Sequence, residues 1–312
     1  MMKGKDLVTI HDLSFGEVAL ILETAKKLKK MQKDGKPHRL LEGKTLGMIF
    51  HKASTRTRVS FEVGFAQLGG QALYLDTAST QMGRGEPLKD TARVLSRYVD
   101  GIMIRTFKQS DVEELAKYAT VPVINGLTDA AHPCQALADI FTAQENFGSL
   151  KGRKLVYVGD GNNVAHSLMF VCAKVGMDIT LSCPKGYDVD PEMLKKAEAD
   201  TKESGSKIIL ERDPKKAAKG ADVLYTDVWA SMGQEAESAK RKKELAAYQI
   251  NAELLKAASK DCIVMHCLPA HRGEEITDDV IEGPQSVVFD EAENRLHVQK
   301  AVMALLMSDK NF

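Results

Sequence analysis

The feature that most constrains this chain is a regular alternation of short β-rich runs with helical patterns, which occurs in two successive rounds. Such alternation is typical of parallel sheets wrapped by helices, and it predicts an α/β fold. In the first round we expect strands at residues 44–50, 72–75, 101–104 and 122–124, and helices at residues 56–68, 87–99, 111–118 and 133–146. In the second round we expect strands at residues 154–158, 178–182, 207–210, 221–225 and 263–266, and helices at residues 164–174 and 191–203.

A glycine-containing break at residues 148–152 separates the two rounds, so we place a domain boundary there. The sequence then predicts a first domain at residues 1–147 and a second at residues 148–290. A final amphipathic helix at residues 291–308 opens the C-terminal segment 291–312, which we expect to cross back and pack on the first domain. Two similar domains imply a cleft, and ligands of open parallel sheets lie beyond the carboxyl ends of the strands.

The charge balance gives no general attraction to nucleic acid, because Lys plus Arg and Asp plus Glu both number 43. No apolar run approaches the ~20 residues of a membrane span, and the N-terminus lacks the apolar stretch of a secretory signal. We therefore expect neither nucleic acid nor membrane as a partner. The five cysteines are odd in number and lack a CxxC spacing, which predicts free thiols in a reducing cytoplasm.

The first predicted strand ends at Phe50, and hydroxyl and guanidinium groups follow it at the start of a helix. Ser54, Thr55, Arg56 and Thr57 lie in this short segment. A helix N-terminus offers N–H groups and a positive dipole end to phosphate, and Arg adds planar forked donors. The alternative is that a hydroxyl merely caps the helix while the guanidinium groups are solvated.

Two later strand ends of the first domain add further polar groups. Arg105 follows the strand at 101–104, and His132 precedes Pro133, which suits the first turn of a helix. A neutral His in a cationic cluster would donate a hydrogen bond to a carbonyl oxygen. The alternatives are an exposed or structural Arg and a His that only caps or packs.

The second domain opens with a strand followed by the sequence GDGNN at residues 159–163, which partly matches a dinucleotide-binding fingerprint. The fingerprint fails twice, because Val164 occupies the third glycine position and no acidic residue ends the next strand. The amides of Asn162 and Asn163 remain at a helix start. They suit a small anion such as a carboxylate, or simple helix capping.

Two more strand ends of the second domain carry candidate groups. Asp227 would pair with an ammonium group, and Cys267 would be a reactive thiol in an electropositive cleft or an inert buried one. A metal site is disfavoured because no pair of potential ligands has a common zinc-ligand spacing. The ligands weighed are His132, Cys134, His266, Cys267 and His271.

Three motifs, in this order and at this spacing, resemble the aspartate/ornithine carbamoyltransferase family. They are STRTR at 54–58, HPCQ at 132–135 and HCLP at 266–269. The segment DVWASMG at 227–233 resembles the version of the second domain that binds ornithine, whereas the aspartate branch uses Arg and Gln residues there. The resemblance covers most of the chain. It implies transfer of the carbamoyl group of carbamoyl phosphate to the δ-amine of L-ornithine, with L-citrulline and phosphate as products and no metal or organic cofactor.

The resemblance also implies roles for individual residues. Those expected to bind carbamoyl phosphate are Ser54, Thr55, Arg56, Thr57, Gln81, Arg105, His132, Pro133, Cys134, Gln135, Cys267, Leu268 and Arg295. Those expected to bind L-ornithine are Asn163, Asp227, Ser231 and Met232, and the expected catalytic residues are Arg105, His132 and Cys267. Family members are trimers or assemblies of trimers with active sites at subunit borders, so Gln81 would reach a neighbour's phosphate.

Three alternatives remain from the residues themselves. The acceptor amine could be aspartate, putrescine or an acylated ornithine, although the sequence at 231–233 argues against these. A nicotinamide-dependent oxidoreductase is disfavoured by Val164. A non-catalytic binding protein on the same fold is disfavoured by candidate residues in both domains, although fold alone does not exclude it.

Overall fold

The computed structural model describes residues 2–230 and 235–310, which form two compact units. One unit contains the residues up to Phe141 together with those from Glu293 onward, and the other contains Thr142–Ala292. Both units are parallel sheets flanked by helices, which confirms the predicted α/β class. The last helix returns to the first unit, as expected.

The first unit begins with a helix and then follows the predicted alternation. Its strands are β1 (Thr45–Phe50), β2 (Gln71–Asp76), β3 (Gly101–Arg105) and β4 (Val123–Leu127). Its helices are α1 (Phe15–Lys33), α2 (Thr55–Gln67), α3 (Leu88–Leu95), α4 (Gln109–Tyr118) and the first part of α5 (Pro133–Phe147), with 3₁₀ turns at Thr77–Ser79 and Gln81–Arg84.

The sheet of the first unit has the order β2-β1-β3-β4, with all pairs parallel. Five consecutive residues of β1 are buried, as expected where helices cover both faces of a parallel sheet. The order reverses between β1 and β3, since β1 leads to β2 on one side while β3 and β4 extend on the other. Such a switch point is where ligands bind in open α/β sheets.

Helix α1 was absent from the sequence-based prediction, although its start carries a clear signal. Ser14 accepts a hydrogen bond from the Glu17 backbone, and the Glu17 side chain accepts one from the Ser14 backbone. This reciprocal pair is a capping box. The buried face of α1 includes Val18, Ile21 and Leu28.

The second unit repeats the pattern with a longer sheet. Its strands are β5 (Lys154–Val158), β6 (Asp178–Ser182), β7 (Ile208–Leu210), β8 (Val223–Thr226) and β9 (Ile263–His266). Its helices are α6 (Asn163–Val175), α7 (Pro191–Ser204), α8 (Pro214–Ala218), α9 (Ser238–Leu245), α10 (Ala252–Leu255) and α11 (Asp278–Ile281), with 3₁₀ turns at Glu235–Glu237 and Ala246–Tyr248.

The second sheet has the order β7-β6-β5-β8-β9, again with all pairs parallel. Its switch point lies between β5 and β8, which are paired from Leu155 to Tyr157 and from Val223 to Tyr225. Short helices α8 to α11 were not predicted, because segments of four to eight residues carry too little periodicity.

Helix α12 (Val288–Met307) begins three residues before the predicted start at 291. None of the helices in the described residues combines the length and apolarity needed to cross a membrane.

Candidate active site

The switch point of the first sheet brings two predicted site segments together. Because β1 and β3 are neighbours, Arg105 at the end of β3 and the α2 start after β1 lie at the same sheet edge. The register pairs Phe50 with Arg105. The strand ends therefore place the STRTR segment beside Arg105, as the sequence pattern indicates.

The start of α2 is capped by Ser54. Its extended backbone leaves the hydroxyl oxygen 3.3 Å from the Thr57 backbone nitrogen, which donates to it. Thr55 is exposed and Arg56 is half-buried, so both side chains remain accessible at the helix N-terminus. The positive end of the α2 dipole is therefore available to bind an anion.

Thr57 is fully buried and its hydroxyl is the centre of a polar network. Arg295 donates from Nη2 to Thr57 Oγ1 across 3.1 Å, and the Ser54 hydroxyl donates to the same oxygen across 3.2 Å. Arg105 Nη1 lies 3.5 Å away, at the outer limit of a hydrogen bond. Arg295 also donates from Nη1 to the side-chain oxygen of Gln135 across 2.8 Å. Thr57 thus aligns two buried guanidinium groups at one point.

His132 is buried at the edge of this network, with 5% of its surface exposed. Burial holds the pKa of its imidazole well below its usual value, and the charges of Arg295, Arg105 and Arg56 lower that pKa further. The ring is therefore neutral at physiological pH. A neutral imidazole carries one N–H donor, which suits polarisation of a carbonyl oxygen.

The remaining predicted residues of the first unit occupy different settings. Pro133 and Gln135 are buried in the first turn of α5, and Gln135 Nε2 donates to Asp139 across 2.7 Å. The Cys134 thiol lies 3.6 Å from the Asn125 carbonyl of β4, and burial raises its pKa to about 12. Gln81 is exposed in a 3₁₀ turn, and its described contacts do not join it to Thr57.

The switch point of the second sheet gathers the other predicted residues. Asn162 and Asn163 follow β5, Asp227 follows β8, and Cys267 follows β9, the neighbour of β8. Asn163 is the first residue of α6 and is half-buried. Ser231 and Met232 lie outside the described residues.

The carboxylate of Asp227 is held by hydrogen-bond donors on both oxygens. Asn162 Nδ2 donates to Oδ2 across 2.7 Å, and the Val228 N–H donates to Oδ1 across 2.8 Å. The Cys267 thiol donates to Oδ1 across 2.9 Å. Asp227 is only 7% exposed, so the orientation of its negative charge is fixed by these contacts.

A second set of contacts fixes the backbone after β9. The Leu268 N–H donates to His266 Nδ1 across 2.9 Å, so His266 carries its proton on Nε2 and donates it to Glu275 across 2.9 Å. Leu268 has a φ of 56°, a left-handed conformation that few non-glycine residues adopt. Glu291 accepts from the His266 backbone N–H. The contacts with Glu275 and Glu291 therefore stabilise the backbone conformation of the HCLP segment.

Sequence reasoning did not find Asn162 as a partner of Asp227, nor Glu275 and Glu291 as partners of His266. Both glutamates are fully buried although their local sequences are polar. Buried carboxylates without a motif around them give no signal in one sequence, because their burial depends on distant segments.

One group of possible metal ligands in the second unit is already engaged in hydrogen bonds. Asp227, His266 and Cys267 offer ligand atoms within 4.8 Å of each other. Both ring nitrogens of His266 take part in hydrogen bonds, and the thiol of Cys267 donates to Asp227. The geometry therefore favours a hydrogen-bond network here.

Gly161 has a structural role that differs from a dinucleotide fingerprint. A Cβ at this position would lie 2.4 Å from the Val189 nitrogen, and the Gly161 N–H donates to the Tyr187 carbonyl across 2.9 Å. In dinucleotide folds the second glycine makes room for the pyrophosphate. In this chain the backbone of residues 187–189 occupies the space that a Cβ at Gly161 would need.

Comparisons with known proteins find the same family in both units. Residues 5–145 match the model of the aspartate/ornithine carbamoyltransferase carbamoyl-P binding domain, and residues 151–306 match that of the Asp/Orn binding domain. The chain is 62% identical to an ornithine carbamoyltransferase of Pyrococcus abyssi over 306 residues, covering 98% of this chain and 96% of the relative.

Solved structures give the same result. The fold matches that of the ornithine carbamoyltransferase from Pyrococcus furiosus with a TM-score of 0.96 at 61% identity, covering 99% of each chain. It matches that from Gloeobacter violaceus with a TM-score of 0.88 at 51% identity, covering 98% of this chain and 99% of the other. With both domain models matched and full-length relatives of this identity, the chain belongs to the aspartate/ornithine carbamoyltransferase family.

Proposed function

We propose that this protein transfers the carbamoyl group of carbamoyl phosphate to the δ-amine of L-ornithine, giving L-citrulline and phosphate. The observation that carries the proposal is the buried cluster of Thr57, Arg105, His132 and Arg295 at the start of α2. Such a cluster suits a phosphate joined to a carbonyl group. The naming of the similar relatives as ornithine carbamoyltransferases supports ornithine as the acceptor.

The phosphate would be held at the N-terminus of α2. Ser54, Thr55, Arg56 and Thr57 supply hydroxyl, guanidinium and backbone N–H donors there, and phosphate accepts all of these. Arg295 adds a buried guanidinium group, which is held beside this segment by its contact with Thr57. By family resemblance, Gln81 of a neighbouring subunit completes the phosphate site.

The carbonyl oxygen would be polarised by Arg105, His132 and the Thr57 hydroxyl. Because His132 is neutral, it donates a hydrogen bond without giving up a full proton. One such donor to a developing oxyanion is typically worth ~2.7–4 kcal/mol of barrier. The family resemblance also gives contacts with carbamoyl phosphate to Pro133, Cys134 and Gln135, and to Cys267 and Leu268.

The acceptor would bind to the second unit. Asn163, Asp227, Ser231 and Met232 would hold ornithine, with Asp227 facing an ammonium group of the substrate and Cys267 near the reactive δ-amine. The buried carboxylate attracts the cationic amine, and the Cys267 thiol lies beside it. An aspartate acceptor would bring a second carboxylate toward Asp227, which like-charge repulsion disfavours.

The reaction needs a neutral amine, whose pKa in water is about 10.4 for a comparable lysine side chain. Positive charges around carbamoyl phosphate favour loss of the amine proton, because like charge disfavours the ammonium form. The nitrogen lone pair then forms a bond to the carbonyl carbon. The bond from that carbon to the phosphate oxygen breaks, and the leaving phosphate takes one of the two protons that the attacking nitrogen still carries. Positioning and electrostatic stabilisation supply the catalysis without hydride or electron transfer.

We further propose a homotrimer or an assembly of trimers in the cytoplasm, with a role in arginine biosynthesis. All five cysteines occur without disulfides, which fits a reducing compartment. A similar relative from Pyrococcus furiosus, 61% identical, is named an anabolic ornithine carbamoyltransferase, which supports the biosynthetic direction.

The test is a carbamoylation assay with carbamoyl phosphate and a panel of amines. Ornithine, aspartate, putrescine and N-acetylornithine are compared at equal concentrations, and each carbamoylated product is quantified by mass spectrometry. The proposal expects citrulline as the dominant product. A dominant product from another amine would overturn the choice of acceptor, and no product from any amine would overturn carbamoyl transfer.

A further inference from the structure

Asn162 links two segments of the second unit that the proposed reaction needs in fixed positions. It follows β5 and caps α6, while its partner Asp227 follows β8. The family resemblance gives a ligand role to the next residue, Asn163, and none to Asn162.

The side-chain oxygen of Asn162 is committed to the start of α6. It accepts the backbone N–H groups of Val164 across 2.9 Å and Ala165 across 3.2 Å. The hydroxyl of Tyr157, a buried residue of β5, lies 3.2 Å from the same oxygen. These contacts fix the plane of the amide and leave its nitrogen pointing in one direction.

That nitrogen points at Asp227. The distance from Nδ2 to Oδ2 is 2.7 Å, a short hydrogen bond to a charged acceptor. The other carboxylate oxygen accepts from Val228 and Cys267. Asn162 is therefore the side-chain donor that holds Oδ2 and, with it, the rotation of the carboxylate.

Asparagine combines two properties at this position. Its oxygen accepts at the helix cap and its nitrogen donates to Asp227, which neither serine nor aspartate can do in the same way. Because the amide is neutral, it orients Asp227 without cancelling its negative charge. A Lys or Arg partner would compete with a cationic substrate for that charge.

We propose that Asn162 is a positioning residue, which holds the Asp227 carboxylate in the orientation that meets an ammonium group of the acceptor. This role rests on the proposed function of Asp227 in ornithine binding. Asn162 acts through Asp227 and is not itself expected to touch the reacting atoms.

The first test compares two substitutions that keep a capping oxygen. Asn162→Ser removes the amide donor, and Asn162→Asp replaces it with a carboxylate next to Asp227; Ser and Asp both cap helices well. The expected loss in kcat/KM for ornithine is roughly 10- to 100-fold for Ser, as for a hydrogen bond to a charged group. The loss should be larger for Asp because of repulsion, with KM for carbamoyl phosphate changed by less than about two-fold.

Asn251 provides a matched control in the same unit. It caps α10 by accepting from the Leu254 N–H, and its described contacts do not include Asp227. Asn251→Ser and Asn251→Asp should leave both KM values unchanged. Equal kinetic losses at positions 162 and 251 would reduce Asn162 to a helix cap and overturn the proposal.

A double-mutant cycle separates positioning from a general structural effect. In an Asp227→Asn background, Asn162→Ser should cost little further activity, because the residue it orients has already lost its charge. Additive losses would overturn the proposal. Should Asn162→Ser fail to fold, the Asn162→Asp variant supports the same cycle, with thermal unfolding as the check on folding.

The wild-type assay keeps this inference distinct from the proposed function. A wild-type protein that does not carbamoylate ornithine would overturn both the proposed function and the role of Asn162. An active wild type whose Asn162 variants match it would overturn the role of Asn162 alone.

Discussion

Arg295 donates from Nη2 to the hydroxyl of Thr57 across 3.1 Å, although the two residues are 238 positions apart in the chain. The contact joins helix α12 to the first turn of α2. It makes one buried hydroxyl the common acceptor for Arg295 and Ser54, with Arg105 at the limit of contact.

Thr57→Val should therefore weaken carbamoyl phosphate use while preserving the shape of the side chain. Buried guanidinium donors lose their acceptor, so we expect kcat/KM for carbamoyl phosphate to fall by roughly 10- to 100-fold. Thr180→Val is the matched control, because the buried Thr180 hydroxyl has no hydrogen-bond partner among the described residues. Steady-state kinetics on both variants check this, and equal effects would contradict it.

The pH dependence of carbamoyl phosphate use should show no titration of His132 near neutrality. Burial and the neighbouring arginines lower its pKa well below 6.5, so the neutral form persists from alkaline pH down to well below that value. His132→Phe removes the donor and should reduce kcat by ~10²-fold or more. Profiles of kcat/KM from pH 5 to 9 check the first point. A wild-type midpoint near 6.5 that disappears in His132→Phe would contradict it.

The stability of the first unit should fall on acidification because of His297. The pKa of its imidazole falls from 6.5 to about 4, chiefly because of burial; a hydrogen bond to Glu293 opposes the shift, and the charges of Lys300 and Lys29 contribute to it. Between about pH 6.5 and pH 4, His297 binds a proton in the unfolded chain but not in the folded chain. The free energy of unfolding therefore decreases as the pH falls through that window. The loss from this residue between pH 7 and 5 is about 2 kcal/mol.

His297→Gln removes the titrating group and should flatten this dependence. Denaturant unfolding of both proteins at pH 7 and pH 5 gives the comparison. His271→Gln is a control on an exposed ring. Identical pH slopes for wild type and His297→Gln would show that His297 does not control the acid sensitivity.

Alkylation by iodoacetamide should inactivate the protein through Cys267. Its thiol is half-buried, whereas Cys134, Cys172, Cys183 and Cys262 are buried. We expect activity loss to follow carbamidomethylation at Cys267, with slower turnover in Cys267→Ser and resistance of that variant to the reagent. Peptide mass spectrometry locates the label, and Cys183→Ser is the control. Full labelling of Cys267 with retained activity would show that this thiol has no role in catalysis.

Asp227→Asn should selectively damage ornithine use. The substitution keeps the size of the side chain but removes the charge that faces the amine, so kcat/KM for ornithine should fall by ~10²-fold or more. Carbamoyl phosphate affinity, measured by calorimetry, should stay within about two-fold of wild type. Asp261→Asn, at an exposed position before β9, is the control. Unchanged ornithine kinetics in Asp227→Asn would exclude it from the acceptor site.

Much of the architecture was predictable because parallel strands are short, apolar and regularly spaced. Arg105 and Asp227 follow strands that the sequence indicates, and their positions at the switch points follow from the order of those strands. Helix α1 was missed, although the capping box at Ser14 and Glu17 marks its start.

The partners of the site residues were not predictable in the same way. Glu275 and Glu291 resemble ordinary surface acids in sequence, yet both are fully buried and hold His266. Asn162 was read as a helix cap or anion ligand, while its contact with Asp227 spans 65 positions. Such pairings depend on the tertiary fold, and a single sequence gives the local preference of each residue only.

The division of the first unit between the two ends of the chain has a consequence for biosynthesis. Residues from Glu293 onward are synthesised after the continuous segment Thr142–Ala292, so the first unit can close only after the second unit has been made. Domains usually fold in the order of their synthesis. In this protein the order is reversed, because Arg295 can reach Thr57 only after the residues of the other unit have been made.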